Sequence, residues 1–258
     1  MNGFETHGVH HLSASSLNLY AASPALWVME RLLGRRSPGS APMARGKAVE
    51  EGVHVGLIDP MKTPTECAAL ALSAYDKEMA LLADEKRESE REQIPGYVDH
   101  ALAELRQYGE PTAYQDRVEY RLDDVPVPVV GFIDWRFDQH GLIVDLKTSE
   151  RLPAAISAAH ARQGAIYARA HGNYGMRFAY VKSTAGKKDG RAICVYELSR
   201  DEIDRQVTGL REIALRLERF LSLSRDPHEL TALLVPDYES FYWSNPTTRA
   251  NGAAVFGF

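Results

Sequence analysis

Cysteine occurs only at positions 67 and 194 of the 258 residues. Two thiols are too few for a disulfide framework, a four-cysteine iron–sulfur cluster or a cysteine zinc site, and they suit a reducing compartment. No stretch approaches the roughly 18 uninterrupted apolar residues that a membrane helix needs. The opening residues, MNGFETHGVHHLSAS, contain neither the basic nor the apolar region of a secretory signal. The expected location is therefore the cytoplasm, with no membrane partner. Positive charge is also in deficit: 30 Lys and Arg against 35 Asp and Glu leave a net −5. That excludes a generally basic nucleic-acid coat and leaves room for a local basic groove. The motifs H-E-x-x-H and G-x-S-x-G are absent, which removes the common zinc-protease and serine-hydrolase chemistries. Gly186-Lys187-Lys188 is not a Walker A loop, because the earlier glycine and the Ser or Thr are missing.

What is present reads as helices, then strands, then helix. Ser13 is a plausible N-cap for one or two short helices broken near Pro24, followed by the loop RRSPGSAP (35–42). Helices are expected over Met43–Leu57, over Thr65–Arg91 and around Val98–Tyr108. In the second, Leu70, Tyr75, Met79 and Leu82 face inward and the run DEKRESERE is mostly a solvated face. The period then changes from 3.6 to 2, giving strands at Tyr114–Leu122, Val127–Phe137, Leu142–Lys147, Arg177–Lys182 and Ala192–Leu198. A helix over Ala154–Ala170 separates the third strand from the fourth. An amphipathic helix of about five turns begins at Asp201. The aromatic, turn-rich tail has no assignment. This order indicates an α/β or α+β fold with a central mixed β-sheet flanked by helices. The expected organisation is one domain over 1–258, with a helical part at 12–110, the sheet and its inserted helix at 111–200, and a terminal helix and tail at 201–258. Trp27, Trp135 and Trp243 read as core.

The stretch GFIDWRFDQHGLIVDLKTS (131–149) puts two carboxylates and an ammonium into otherwise apolar strands. A four-residue turn at Asp138–Gly141 lets Phe137 pair with Leu142. In that register Asp134 lies opposite Asp145, and alternation puts Asp145, Lys147 and Asp134 on one face. Like charges directly opposite each other destabilise a sheet, so something must compensate. One candidate is a divalent cation held by hard oxygen ligands, suited to Mg²⁺ or Mn²⁺. The other is an ion pair of Asp145 with Lys147 along the strand, with Asp134 at the solvent edge.

Gly131-Phe-Ile-Asp134, Asp145-Leu-Lys147-Thr-Ser and Gln163-Gly-Ala-Ile-Tyr167, in that order, resemble the PD-(D/E)xK nuclease superfamily, nearest its RecB-like and phage exonuclease branch. LSASSLNLY and ARGKAVEEGVH are similar to the N-terminal motifs of that branch, so the likeness spans about residues 12 to 183. The resemblance implies a restriction-endonuclease-like core in which Asp134, Asp145 and the backbone carbonyl of Leu146 bind metal. It makes Lys147 the residue that orients or activates the attacking water. Gln163 and Tyr167 match its Q-x-x-x-Y motif, and their spacing of four puts both on one helix face. Many RecB-like members carry histidine four residues after the glycine of the N-terminal helix motif. Here Glu50 follows Gly46 at that distance, with His54 one turn further as its alternative. Glu51 points about 100° away on the helical wheel.

Further candidates for DNA contact are Arg45, read as just preceding the helix of Glu50, and Ser13 and Ser15, which also serve as helix caps. Lys182, Lys187, Lys188 and Arg191 could track a phosphate backbone or form a solvated hairpin tip. The resemblance implies a Mg²⁺- or Mn²⁺-dependent DNA exonuclease of phage or bacterial recombination and repair, without an iron–sulfur cluster. A flap or structure-selective endonuclease and an inactive DNA-binding module of the same fold are the alternatives. No helicase motif is present, so a helicase or single-strand annealing partner would be another chain. Homo-oligomerisation is left open.

Overall fold

The computed structural model describes residues 1–258 apart from 173 and 185–189, so Lys187 and Lys188 lie outside the described residues. Six helices come first: α1 (Gly3–Thr6), α2 (Ala14–Ala22), α3 (Pro24–Arg31), α4 (Ala41–Ile58), α5 (Pro64–Glu78) and α6 (Arg87–Leu105). Strands β1 (Ala113–Tyr120), β2 (Val129–Phe137) and β3 (Leu142–Thr148) follow, then α7 (Ala158–Ala170), β4 (Gly175–Val181) and β5 (Ile193–Glu197). The chain ends with α8 (Arg200–Leu221), α9 (Pro227–Thr231) and α10 (Pro246–Phe256). No helix among the described residues is long and apolar enough to cross a membrane.

Local chemistry sets most of these boundaries. The Ser13, Ser157 and Ser199 hydroxyls accept the first free N–H groups of α2, α7 and α8. Thr63 and Glu66 form a reciprocal capping box at α5. Pro24 cannot donate, so α2 stops at Ala22 and Pro24 opens α3.

The segment expected as one helix over Thr65–Arg91 is instead two helices. The Asp84 carboxylate accepts the backbone N–H groups of Ala41 and Lys86, which favours a loop over continuing helix. α6 then begins at Arg87 and runs through Pro95, because Ile94, Tyr97 and Val98 are fully buried around it. Leu70, expected inward, is exposed. At Gly52 and Gly56 α4 comes so close to α5 that only small groups fit. A Cβ on Gly52 would meet Ala71 Cβ and Cys67 O at 2.8 Å, so Cys67 and Ala71 face inward instead.

The sheet runs β1-β2-β3-β4-β5, antiparallel throughout except between β3 and β4, which α7 connects. It is a mixed five-stranded sheet flanked by helices, an α+β fold. One core lies between the sheet and α7 and α8, and includes Ile143, Phe178, Tyr180 and Ile166. The other lies under α4, α5 and α6, and includes Trp135, Phe137, Val144 and Val181. Trp27, Trp135 and Trp243 are all buried, and Trp243 seats the tail on Ala25, Leu26 and Met29 of α3.

One charged pair sits inside the helical layer. Arg45, 4 % exposed, pairs with Glu90, 2 % exposed, and lies over the Tyr97 ring at 4.7 Å. Arg45 is thus inside α4 rather than ahead of it, and its charge is spent on α6. This corrects its reading as a surface phosphate contact and that of Glu90 as part of a solvated face. Arg45 Nη2 also donates to Thr148 Oγ1 at 3.3 Å, fastening the helices to the end of β3. Glu90→Ala leaves a buried guanidinium unpaired and should cost on the order of 3–5 kcal/mol in urea unfolding. Replacing both partners by apolar residues of similar volume should recover most of that loss.

Candidate active site

The β2–β3 hairpin has the expected register, Phe137 with Leu142, Arg136 with Ile143 and Trp135 with Val144. Gly141, with φ +55°, closes its turn in the left-handed conformation that glycine adopts at no steric cost. The ladder ends there, one rung short of the aspartates. Asp134 and Asp145 are therefore not cross-strand partners. Instead Asp134 Oδ2 accepts the backbone N–H of Leu146 at 2.9 Å. Backbone groups of one strand residue point to the same sheet edge, so the Leu146 carbonyl also faces this gap. Beyond it β3 leaves β2, and the N-terminal segment takes over the vacated edge. Leu12 N–H donates to Pro128 O and Val130 N–H to Leu12 O.

Simple alternation also fails on β2. Ile133 belongs to the core under α7 and Trp135 to the core under α4, although residues two apart in a regular strand share a face. The break coincides with a missing rung: β1 pairs with β2 on both sides of Gln115 and Asp134, but not at them. Gln115 has φ +49°.

Asp134 is 9 % exposed and Asp145 1 % exposed, which excludes Asp134 from a solvent edge. Lys147 Nζ lies 2.6 Å from Asp145 Oδ1, so the expected ion pair along the strand exists. At that distance the ammonium serves Oδ1, and the buried Oδ2 of Asp145 has no hydrogen-bond partner among the described residues. Glu50 reaches the site from α4. It accepts from Gln115 Nε2 and interacts with the Tyr114 phenol. Glu51 is exposed. His54, one turn on, stacks on Tyr114 at 3.7 Å between ring centroids, and burial lowers its pKa. Asp145 repels the Glu50 carboxylate and Glu50 in turn repels that of Asp134, whereas burial is what acts on His54.

On the other face α7 presents Gln163 and Tyr167. Lys147 Nζ donates to Gln163 Oε1 at 3.2 Å, and Gln163 Nε2 donates to Tyr167 Oη at 2.9 Å. An ammonium only donates, so the amide has a single productive orientation. Gly131 makes room for this chain, since a Cβ there would stand 2.5 Å from Tyr167 Cε1. His160, which the sequence reading passed over, shares this helix face three residues before Gln163. It bonds Tyr180 Oη at 2.8 Å, and Tyr180 is the β4 partner of Lys147. The signal was available in the i, i+3, i+7 spacing His160-Gln163-Tyr167. Ser13 and Ser15 line, with His11, Phe132, Gln163 and Tyr167, a cleft of about 240 Å³. Lys182 follows Val181, the rung partner of Thr148, and its N–H bonds Ala192 O, next to the exposed Arg191.

The electrostatics of the group are unbalanced. Burial raises the Asp134 pKa well above the usual carboxylate range, and repulsion from Asp145 and Glu50 raises it further. Burial also raises Glu50, with Asp145 adding to the rise and Gln115 opposing it. Burial disfavours the Lys147 ammonium, yet Asp145 and Asp134 outweigh it and hold its pKa above the ordinary value. Among the described residues no three acidic, histidine or cysteine side chains converge into a ready-made metal cage. The donor set nonetheless fits a hard divalent cation: three mutually repelling carboxylates, only one ammonium, and a buried carboxylate oxygen, Asp145 Oδ2, without a hydrogen bond.

Comparison with known proteins agrees with this geometry. A family model of the PD-(D/E)XK nuclease superfamily matches residues 11–229. Among solved structures, that of a candidate exonuclease from Eubacterium rectale superposes with a TM-score of 0.59 at 14% identity, covering 81% of this chain and 82% of that one. At that identity the likeness is one of fold. No curated protein matches the sequence significantly.

The two aspartates should respond differently to amidation in chelator. Asp134→Asn relieves repulsion and should leave the melting temperature unchanged or higher. Asp145→Asn strips Lys147 of its partner and should cost on the order of 3 kcal/mol, the lower end for a broken buried pair, since Lys147 is partly exposed. The raised Asp134 pKa means that the folded state binds this proton more tightly than the unfolded chain. Its charge therefore destabilises increasingly as pH rises above the ordinary value of 3.8. The advantage of Asp134→Asn over wild type should widen across melts from roughly pH 4 to pH 8; a gap that narrows would contradict the assignment.

Proposed function

The chain belongs to the PD-(D/E)XK nuclease superfamily, and from that premise we propose that it is a Mg²⁺- or Mn²⁺-dependent DNA exonuclease of phage or bacterial recombination and repair. The observation that carries the proposal is the pairing of two buried aspartates with Lys147 at the end of the β2–β3 ladder, with Asp145 Oδ2 left without a hydrogen bond. An inactive DNA-binding module would have no use for this costly cluster.

Asp134, Asp145, Glu50 and the Leu146 carbonyl are the groups that would hold the cation. When bound, it would polarise the scissile phosphoryl group and lower the pKa of a water molecule. The protein supplies the rest. Lys147 directs one proton at Asp145 and one at Gln163, which leaves its third for the attacking water or a nonbridging phosphate oxygen. The Gln163–Tyr167 chain holds the ammonium in that pose, and the aspartates keep it protonated. A fixed cation there stabilises the charge that builds on the phosphate in the transition state more than in the ground state. The cleft between Ser13, Ser15 and Phe132 adjoins Gln163 and would receive the strand next to the scissile bond. Lys182 and Arg191 would contact the backbone beyond it.

Incubation with end-labelled linear and closed circular DNA tests the reading. Linear DNA should be degraded from its ends only with Mg²⁺ or Mn²⁺, circles should survive, and Ca²⁺ should support binding without turnover. Cleavage of circles would instead indicate the endonuclease alternative, and full activity in excess EDTA would sink the metal assignment. Lys147→Ala should slow single-turnover cleavage by roughly 10²-fold or more while DNA binding in Ca²⁺ persists, because binding draws on many phosphate contacts. Arginine should not rescue it, since its planar fork differs in reach from an ammonium.

A further inference from the structure

Gln115 stands in the middle of a strand with φ +49°, in the left-handed region. Only one other non-glycine residue among the described ones has positive φ. It is Asp124, in a turn, where aspartate adopts this conformation readily. For glutamine within a β-ladder it is costly and needs a reason. The register is the same on both sides of the missing rung, so no inserted residue forces the break. An extended Gln115 could have closed the ladder.

The reason lies in what the conformation brings together. Consecutive side chains of a regular strand point to opposite faces. Yet Tyr114 and Gln115, adjacent in sequence, both engage the Glu50 carboxylate. The left-handed residue at this point turns the amide toward the carboxylate that Tyr114 also approaches. The rung that Gln115 vacates is the one it would share with Asp134, and Asp134 is thereby out of the β1–β2 ladder and turned to Leu146 N–H.

We infer that Gln115 is a positioning residue of this site: its left-handed backbone opens the β1–β2 ladder at Asp134, and its amide fixes Glu50 beside the two aspartates. Its amide donates to the carboxylate and cannot itself be charged, so it orients Glu50 without neutralising it. The inference rests on the nuclease reading for the purpose of Glu50, and on the geometry alone for the role of Gln115.

Two variants separate backbone from side chain. Gln115→Gly keeps the left-handed conformation without steric cost and removes the amide. Gln115→Met keeps the length and the backbone cost and removes only the hydrogen bond. Three quantities are measured: melting temperature in chelator, Mn²⁺ affinity by calorimetry, and the Mg²⁺ concentration that half-saturates cleavage of linear DNA. Both variants should bind Mn²⁺ roughly 10-fold or more weakly, as expected when a ligand loses its supporting hydrogen bond. The half-saturating Mg²⁺ should rise in parallel, with kcat at saturation little changed. Gln115→Gly should melt in chelator at or above wild type. Mn²⁺ affinities within twofold of wild type would overturn the inference, and so would a Gln115→Gly protein that melts well below wild type, because the bond would then serve the fold. A wild-type protein that binds no Mn²⁺ sinks the nuclease reading and this inference together, whereas normal wild-type binding with unaffected variants sinks this one alone.

Discussion

The hydrogen bond from Leu146 N–H to the Asp134 carboxylate is the contact on which the rest of the site depends. A backbone N–H in a sheet interior ordinarily goes to a neighbouring carbonyl, and one left unmade there would be expensive. Here a side chain takes that place, which lets the β2–β3 ladder stop at Trp135 and Val144 without an orphaned donor. The strands can then part. Into the parting come Glu50 from α4 on one side and Gln163 and Tyr167 from α7 on the other, while the Leu12 segment takes the freed edge of β2. The site is thus a fork in a sheet, reached by helices of both covering layers.

A fork of this kind is held open against its own electrostatics. Three carboxylates surround one ammonium, and burial penalises the charges of Glu50, Asp134 and Lys147. The protein compensates with firm anchors on either side. Arg45 and Glu90 tie α4 to α6 and reach Thr148, the residue after Lys147. On the opposite face Gly131 lets Tyr167 close on β2, so the Lys147–Gln163–Tyr167 chain keeps one geometry. The ion pair of Lys147 with Asp145 and the fitness of the same carboxylates for a cation are compatible. The pair satisfies part of the charge and leaves Asp145 Oδ2 without a hydrogen bond. The ion pair along the strand and the proposed cation site, alternatives by sequence, draw on the same residues.

Much of this was legible in the chain before any coordinates. The five strands fall within a few residues of where period-2 patterning puts them, the hairpin register is as the turn dictates, and Ser13, Pro24 and the α8 stripe mark their helices. Asp134, Asp145, Lys147, Gln163 and Tyr167 stand out because charged or polar residues in apolar elements need a partner. These signals are local, and a spacing of two or four residues carries them. Where the reading failed, the deciding partner was far away in sequence. Asp84 holds a loop between α5 and α6 by bonding Ala41, Glu90 is buried where Arg45 meets it, and Cys67 and Ala71, not Leu70, face α4 at Gly52 and Gly56. The chain by itself therefore determined which charged and polar residues stand out in the apolar elements and which elements hold them. Only the tertiary structure decided that the aspartates meet at the end of a ladder instead of across a rung. It also decided that Glu50 bonds Gln115 while His54 stacks on Tyr114, and that Gln115 is left-handed. Such choices rest on contacts between segments tens of residues apart, for which sequence spacing has no period.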